Sequence, residues 1–385
     1  MRIDAIEVRE IRLPLRERFE ISSGYSEERR ILLVRLHADG ETGWAECVAG
    51  EDPGYSYETT DTAWHILAEF LVPTLLGAEV EEPADVERLL AHVRGHPMAK
   101  ACLEMASWDL EGRKRGRSLA EILGGSGEPV PVGVSVGLQE SDDLLVEKVG
   151  GFLAAGYRKI KLKIKPGRDV EMVRAVREAF PDAPLMVDAN SAYTLADRER
   201  LAEMDDLDLL MIEQPLAHDD LHRHARLQEA LETPVCLDES IRSAADAELA
   251  LALGSCRIIN IKPGRVGGFG SSRRIHDLCR ARGVPVWCGG MLESGVGRAF
   301  NIALATLPGF TIPGDISASR RYWERDIVDP EFEVFDGMMT PPAGPGIGVT
   351  PDQRRIDRVT VRLERWPRRP AWPGADSPDR SATRP

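Results

Sequence analysis

The six cysteines, Cys47, Cys102, Cys236, Cys256, Cys279 and Cys288, form no CxxC pair, and the chain reads as reduced. No apolar run reaches the ~18 residues that cross a bilayer. Positive charge is in deficit, 49 Lys+Arg against 63 Asp+Glu for a net of -14. That balance repels phosphate backbones and anionic lipids, so neither nucleic acid nor membrane is an expected partner. The opening "MRIDAIEVRE" is too charged for a signal peptide. A Gly-rich phosphate fingerprint is missing from the strand-like "VPVGVSVGLQESDD", which disfavours a doubly wound nucleotide-binding sheet. The expectation is a soluble, cytoplasmic protein whose partners are a small molecule and other copies of itself in a homo-oligomer.

With 385 residues and 43% hydrophobic content, the chain can bury a substantial core. From residue 1 to about 50, apolar and polar residues alternate, as in "ILLVRLHADGETGWAECV", the pattern of an antiparallel sheet. From about 57 to 127 the period becomes helical in "DTAWHILAEFLVPTLLG" and "MAKACLEMASWDLEGRKRG". Eight short apolar runs follow, from "VPVGVSVGL" to "FTIPGDI", most of them separated by charged amphipathic stretches. Alternation of this kind predicts parallel strands with crossover helices. The expected fold is α/β, a (β/α)7β TIM-like barrel with an N-terminal α+β capping domain. Its expected limits are 1–128 for the cap, 129–325 for the barrel, 326–364 for a segment returning to the cap and 365–385 for a disordered tail.

The polar residues closing consecutive runs keep a regular beat. Lys163, Asp188, Glu213, Asp238 and Lys262 are spaced by 25, 25, 25 and 24 residues, about one βα unit each. Catalytic groups of such barrels stand at the C-terminal strand ends. A single strand-end Asp is as easily a helix cap. Asp188, Glu213 and Asp238 on consecutive strands, with Met186, Met211 and Cys236 two residues behind them, are instead expected to converge. Like charges that close need a cation to stay ionised. Oxygen ligands without His or Cys favour Mg²⁺ over zinc, with Mn²⁺ or another divalent cation as substitute.

In "RKIKLKIKPG", Lys159, Lys161, Lys163 and Lys165 alternate with Ile160, Leu162 and Ile164, so one face of a strand carries every ammonium group. Lys159 and Lys165 are the expected solvated members. Lys161 and Lys163 are expected inside the barrel, where a neighbouring lysine and a metal lower the pKa and make Lys163 a base usable near pH 7. Lys262, four strands away, would face Lys163 across the mouth. A base beside a divalent cation suits removal of a proton α to a carboxylate, through an enediolate.

The segments "KLK" (161–163), "DAN" (188–190), "EQP" (213–215), "DES" (238–240), "KPGRVGG" (262–268) and "GGMLESGVGRAFNIALA" (289–305) resemble the enolase superfamily, muconate-lactonising subgroup. With "GWAECVAGEDPGYSYE" and "PGDISASRRYW" they resemble, more narrowly, the o-succinylbenzoate synthase / N-succinylamino-acid racemase family. The resemblance implies Mg²⁺ on Asp188, Glu213 and Asp238, and Lys163 as general acid/base. It places Lys262 opposite, as a cation for the enediolate or a second acid/base. It sets Ser135, Lys161 and Asn190 near the substrate carboxylate and the loop 19–28 over the site. The implied reaction is syn dehydration of 2-succinyl-6-hydroxy-2,4-cyclohexadiene-1-carboxylate to o-succinylbenzoate on the menaquinone route. Racemisation of N-succinylamino acids is the rival or second activity, and muconate-type cycloisomerase or dipeptide epimerase are more distant ones.

Other features have two readings. Gly289, Gly290 and Met291 either present N–H groups to a succinyl carbonyl or make a tight turn. His218, His222 and His224 in "HDDLHRH" read as a helix start more readily than as a zinc cluster. "GRVGGFG" reads as backbone room beside Lys262 rather than a phosphate loop. Arg265 either lowers the pKa of Lys262 or pairs with a surface acid. A Schiff-base aldolase using one barrel lysine and a metal-loaded binding scaffold are the competing functional classes.

Overall fold

The computed structural model describes residues 1–367. Three antiparallel strands open the chain: β1 (Ile3–Ile21), β2 (Gly24–Ala38) and β3 (Glu41–Cys47). The register pairs Ile6 with Leu36 and Val8 with Val34, so these buried residues share one face of the sheet. Helix α1 (Pro97–Arg115) packs on β2 and β3. It stops at Gly116, whose left-handed φ of 64° is cheap for glycine, after Arg113, Lys114 and Arg115 have complemented the helix dipole. "DTAWHILAEFLVPTLLG" is not one regular helix: Thr60–Ile66 gives way to a π-turn, Leu67–Leu71, just before Pro73. Proline has no N–H and crowds the carbonyl four residues back, which forces the local widening.

The barrel alternates β4 (Val134–Val136), α2 (Asp142–Ala154), β5 (Ile160–Lys163), α3 (Val170–Ala179), β6 (Leu185–Asp188), α4 (Arg198–Ala202) and β7 (Ile212–Glu213). It continues through α5 (Leu221–Ala230), β8 (Val235–Leu237), α6 (Ala244–Leu253), β9 (Ile258–Ile261), α7 (Phe269–Ala281), β10 (Val286–Cys288) and α8 (Gly295–Ala305). The strands β4 to β10 lie side by side in chain order, all parallel. The eighth run is irregular, since Pro313 cannot donate to a ladder. It nevertheless closes the ring through parallel bridges Val286–Phe310 and Val132–Gly314, with Asp315 N–H donating to Cys288 O at 2.9 Å. Met186, Met211, Cys236, Ile258 and Trp287 fill the barrel interior as a cluster separate from the main core. Among the described residues no helix is long and apolar enough to cross a membrane.

Side-chain caps start α2, α3, α5, α6 and α8 at Ser141, Asp169, Asp220, Ser243 and Ser294. "HDDLHRH" is therefore a helix start. His224 is buried, its Nε2 accepting from Leu216 N–H at 3.2 Å, while Nδ1 faces Asp220 O. His218 and His222 are exposed.

After the barrel, β11 (Thr360–Pro367) returns to pair antiparallel with β1, from Ala5–Pro367 to Ile11–Thr360, giving the sheet order β11-β1-β2-β3. Residues 365–367, expected to begin a disordered tail, instead complete this strand because β1 offers partners as far as Ala5. The rest of that segment, 368–385, lies outside the described residues.

Cap and barrel are joined by buried carboxylates that cap barrel helices. Glu46, at the end of β3, accepts from Ser294 N–H and, at 2.5 Å, from the Ser294 hydroxyl at the start of α8. Glu104 of α1 accepts from Phe269 and Gly270 N–H at 2.9 Å each, at the start of α7. The left-handed Gly268 beside it has no room for a side chain, since a Cβ would lie 2.2 Å from Glu104 Oε2. The room in "GRVGGFG", expected beside Lys262, is instead taken by the cap, since a Cβ at Gly264 would meet Val48 and one at Gly268 would meet Glu104. Burial pushes Glu46 up from 4.5 to about 8 and Glu104 up to about 7. The folded carboxyls keep their protons to higher pH than the unfolded chain. Their contribution to stability is therefore complete below pH 4.5 and is lost as pH rises through 7 to 8. We expect Glu46→Gln to flatten a loss of a few kcal/mol between pH 6 and 9, because each tenfold change in proton affinity corresponds to about 1.4 kcal/mol. Urea unfolding of both proteins across that range measures it, and parallel slopes would count against the assignment.

Candidate active site

Strand geometry carries the lysine row down the barrel axis. Lys159, Lys161 and Lys163 all point inward, with exposures of 0%, 3% and 7%. Lys159 was expected in solvent; it lies instead with Nζ 3.4 Å from the Trp287 ring centroid and 3.2 Å from Asp315 Oδ1. A buried ammonium is tolerated there because an anion and an aromatic face both meet it. Lys165 is half-buried at the rim, 3.4 Å from Glu20 of the cap.

The three strand-end carboxylates are fully buried, and each is held by cations. Lys163 Nζ lies 2.6 Å from Asp188 Oδ2 and 2.7 Å from Asn190 Oδ1. Lys161 Nζ lies 3.2 Å from Asp188 Oδ2, 3.1 Å from Glu213 Oε2 and 2.6 Å from Asp315 Oδ2. Lys262 Nζ lies 2.8 Å from Asp238 Oδ2, and Arg265 also pairs with Asp238. Among the described residues no three carboxylate, imidazole or thiol groups close on a single point. The ammonium groups stand between the carboxylates that were expected to converge. Burial alone would raise Asp188, but Lys163 and Lys161 outweigh it and hold that carboxyl well below the usual range. Glu213 goes the other way: burial and then the charge of Asp188 raise it against the pull of Lys161.

Arg265 pairs with a buried acid, not with one at the surface. Its Nη2 donates to Asn260 O at 2.8 Å and its Nε to Ile241 O at 3.1 Å, fixing it beside Asp238, which Lys262 shares. Gly289 leaves room for Lys262: a Cβ there would lie 2.6 Å from Lys262 Cε.

A cavity of about 370 Å³ lies between barrel mouth and cap. Ser135, Lys161, Lys163, Asn190, Lys262, Gly290 and Met291 all line it, and the hairpin around residues 19–29 and the segment 50–58 cover it. Ser22 Oγ donates to Asn190 O at 3.3 Å, so the hairpin rests on the mouth.

Several residues here escape a reading of the sequence alone. Asn260, two residues before Lys262 and on the same face, donates to Glu213 Oε1 at 2.7 Å. Asp315 ends the eighth run where the others end in their polar groups, a signal that the sequence does carry. Gln214, at a left-handed φ of 39°, links the ends of β7 and β8 by donating to Ser240 Oγ at 2.8 Å and accepting from Asp238 N–H at 3.0 Å. Glu239 accepts from Asn190 Nδ2 at 2.9 Å. Tyr55 donates to Asp238 Oδ1 at 3.0 Å and is met by Lys262 Nζ at 3.0 Å, from a loop no periodicity marks. Asp315→Asn would leave Lys159 without its anion in the barrel. We expect it to cost about 3–5 kcal/mol of stability, the penalty for breaking a buried ion pair from one side. Chemical denaturation measures this, and a change under about 1 kcal/mol would mean that Trp287 alone suffices for Lys159.

Residues 3–124 match the mandelate racemase / muconate lactonizing enzyme N-terminal domain, and residues 145–355 match the enolase C-terminal domain-like family. The chain belongs to this family of the enolase superfamily. Among family members, the o-succinylbenzoate synthase of Geobacillus kaustophilus is 54% identical over 359 residues, covering 93% of this chain and 96% of that relative. The N-succinylamino acid racemase of Thermus thermophilus is 51% identical, covering 94% and 98% respectively. The crystal structure of an enolase superfamily member from Listeria innocua superposes with a TM-score of 0.93 at 42% identity, covering 96% of this chain and 100% of that one.

Proposed function

We propose that this family member is a Mg²⁺-dependent o-succinylbenzoate synthase of the menaquinone route. It would dehydrate 2-succinyl-6-hydroxy-2,4-cyclohexadiene-1-carboxylate, with racemisation of N-succinylamino acids as a second activity. The observation that carries this reading is two buried lysines, four strands apart in one ring, lining a capped cavity beside three buried carboxylates. Asp188, Glu213 and Asp238 offer only hard oxygen donors, a set that fits a divalent cation such as Mg²⁺. When bound, that cation would supply positive charge to the substrate carboxylate and to the enediolate formed from it.

The chain's own residues divide the remaining work. Burial pushes Lys163 below the ordinary lysine range; Asp188 opposes this and Lys161 adds to it. Lys163 is thus suited to accept the α-proton. The electron pair left behind expels hydroxide from the adjacent carbon, and Lys163 returns the proton to it on the same face, releasing water. For Lys262, burial is outweighed by the Tyr55 oxygen and the Glu213 and Glu239 carboxylates, so it stays a cation on the other face. Racemisation would need Lys262 to exchange protons as well; the racemase name of a relative half-identical to this chain is what supports that second reading.

The deciding experiment gives the purified protein the cyclohexadiene substrate with and without Mg²⁺, and separately an N-succinylamino acid in D₂O. Dehydration that a chelator stops and Mg²⁺ restores supports the proposal. Absence of both dehydration and α-deuterium incorporation would sink it.

A further inference from the structure

Four cationic side chains line the cavity: Lys161, Lys163 and Lys262 from the barrel and Arg29 from the cap. The three lysines each rest on carboxylates within 3.2 Å. Arg29 does not. It is 7% exposed, its Nη2 donates to the Val48 carbonyl at 3.2 Å, and among the described residues its Nη1 makes no hydrogen bond. Glu46, Glu293 and Asp52 face it from β3, from the loop before α8 and from the segment after β3. None of them comes within ion-pair distance among the described residues. A buried guanidinium with spare donors is costly unless a ligand completes it, and its planar fork matches a carboxylate. The same cavity is also lined by Phe19, Ile21, Met291 and Tyr322, apolar surface suited to a short methylene chain.

We propose that Arg29 is the anchor for the distal carboxylate of a dicarboxylate substrate, the end of the succinyl arm remote from the reacting carbon. This rests on the proposed function, in which both candidate substrates carry a succinyl group. The barrel lysines handle the carboxylate at the reacting end, and Arg29 reads the other end from the cap. Arg29 thereby acts as a specificity residue and takes no part in proton transfer.

The test compares an N-succinylamino acid with its succinamoyl analogue, whose distal carboxylate is an amide of the same shape. Wild type is expected to prefer the succinyl compound. Arg29→Met is expected to lower kcat/KM for it by roughly 100-fold, within the usual range for stripping one partner from a buried charge pair. The succinamoyl compound should change far less, so the preference collapses. Arg29→Lys should restore part of it, and circular dichroism and melting show whether each variant folds. A preference that survives in Arg29→Met, or equal losses with both compounds, overturns the proposal. Calorimetric binding of the same two compounds keeps the cases apart. If wild type turns over neither, the proposed activity fails, while the difference in Kd between wild type and Arg29→Met still decides the role of Arg29. Should Arg29→Met not fold, Arg29→Gln gives the same ratio.

Discussion

Glu213→Gln should remove nearly all activity and most of the affinity for Mg²⁺. Glu213 is fully buried, level with Asp188 on the adjacent strand, and takes hydrogen bonds from Lys161 and Asn260 on either oxygen. Gln matches its shape but deletes the charge, and it turns one acceptor into an NH₂ that must face either the Lys161 ammonium or the Asn260 amide. Even groups that only orient a metal ligand cost about 10–100-fold in affinity when removed, so a ligand itself should cost more. Calorimetric titration with Mg²⁺ and kinetics over a wide Mg²⁺ range measure the two losses separately. Full activity at ordinary Mg²⁺ would take Glu213 out of the ligand set and leave Asp188 and Asp238 to be tested alone.

Lys163→Ala should slow proton abstraction by ~10² or more, the usual contribution of a positioned general base. No neighbour can stand in for it. Lys161 is held by Asp188, Glu213 and Asp315 within 3.2 Å, and against its burial these carboxylates keep it protonated well above the ordinary lysine range. Lys262 belongs to Asp238 on the far side of the ring. Single-turnover dehydration and α-deuterium uptake should fall together in the variant. If both stayed within a few-fold of wild type, the base would have to be sought at Lys161.

The barrel was legible because one unit of structure repeats. A polar residue every 24 or 25 positions marks strand ends, and strand ends are where a parallel barrel gathers its chemistry. The same logic recovered Met186, Met211 and Cys236 as interior neighbours. It failed at Lys159 because alternation tells which way a side chain points, but not whether Trp287 and Asp315, far along the chain, wait there to receive it. The cap was legible as an α+β unit, yet Arg29 and Tyr55 were invisible as site residues. They reach the cavity through docking between domains, and the carboxylates that enforce the docking, Glu46 and Glu104, sit in stretches whose local pattern only says strand or helix.

The return of β11 to β1 also sets an order of events during synthesis. The outer strand of the capping sheet is translated only after the whole barrel, 322 residues after the end of β2. At ~5–20 residues per second, the free side of β1 waits ~15–65 s on the ribosome before its partner exists. An unpaired strand edge is a template for the wrong chain. The sequence of β1 is suited to that interval, since Glu7, Arg9 and Glu10 lie along the waiting edge and later pair with Arg365, Leu363 and Arg362. Buried and ion-paired in the finished protein, these charges would stand on an open edge in the nascent one, where charge disfavours pairing with a neighbouring chain.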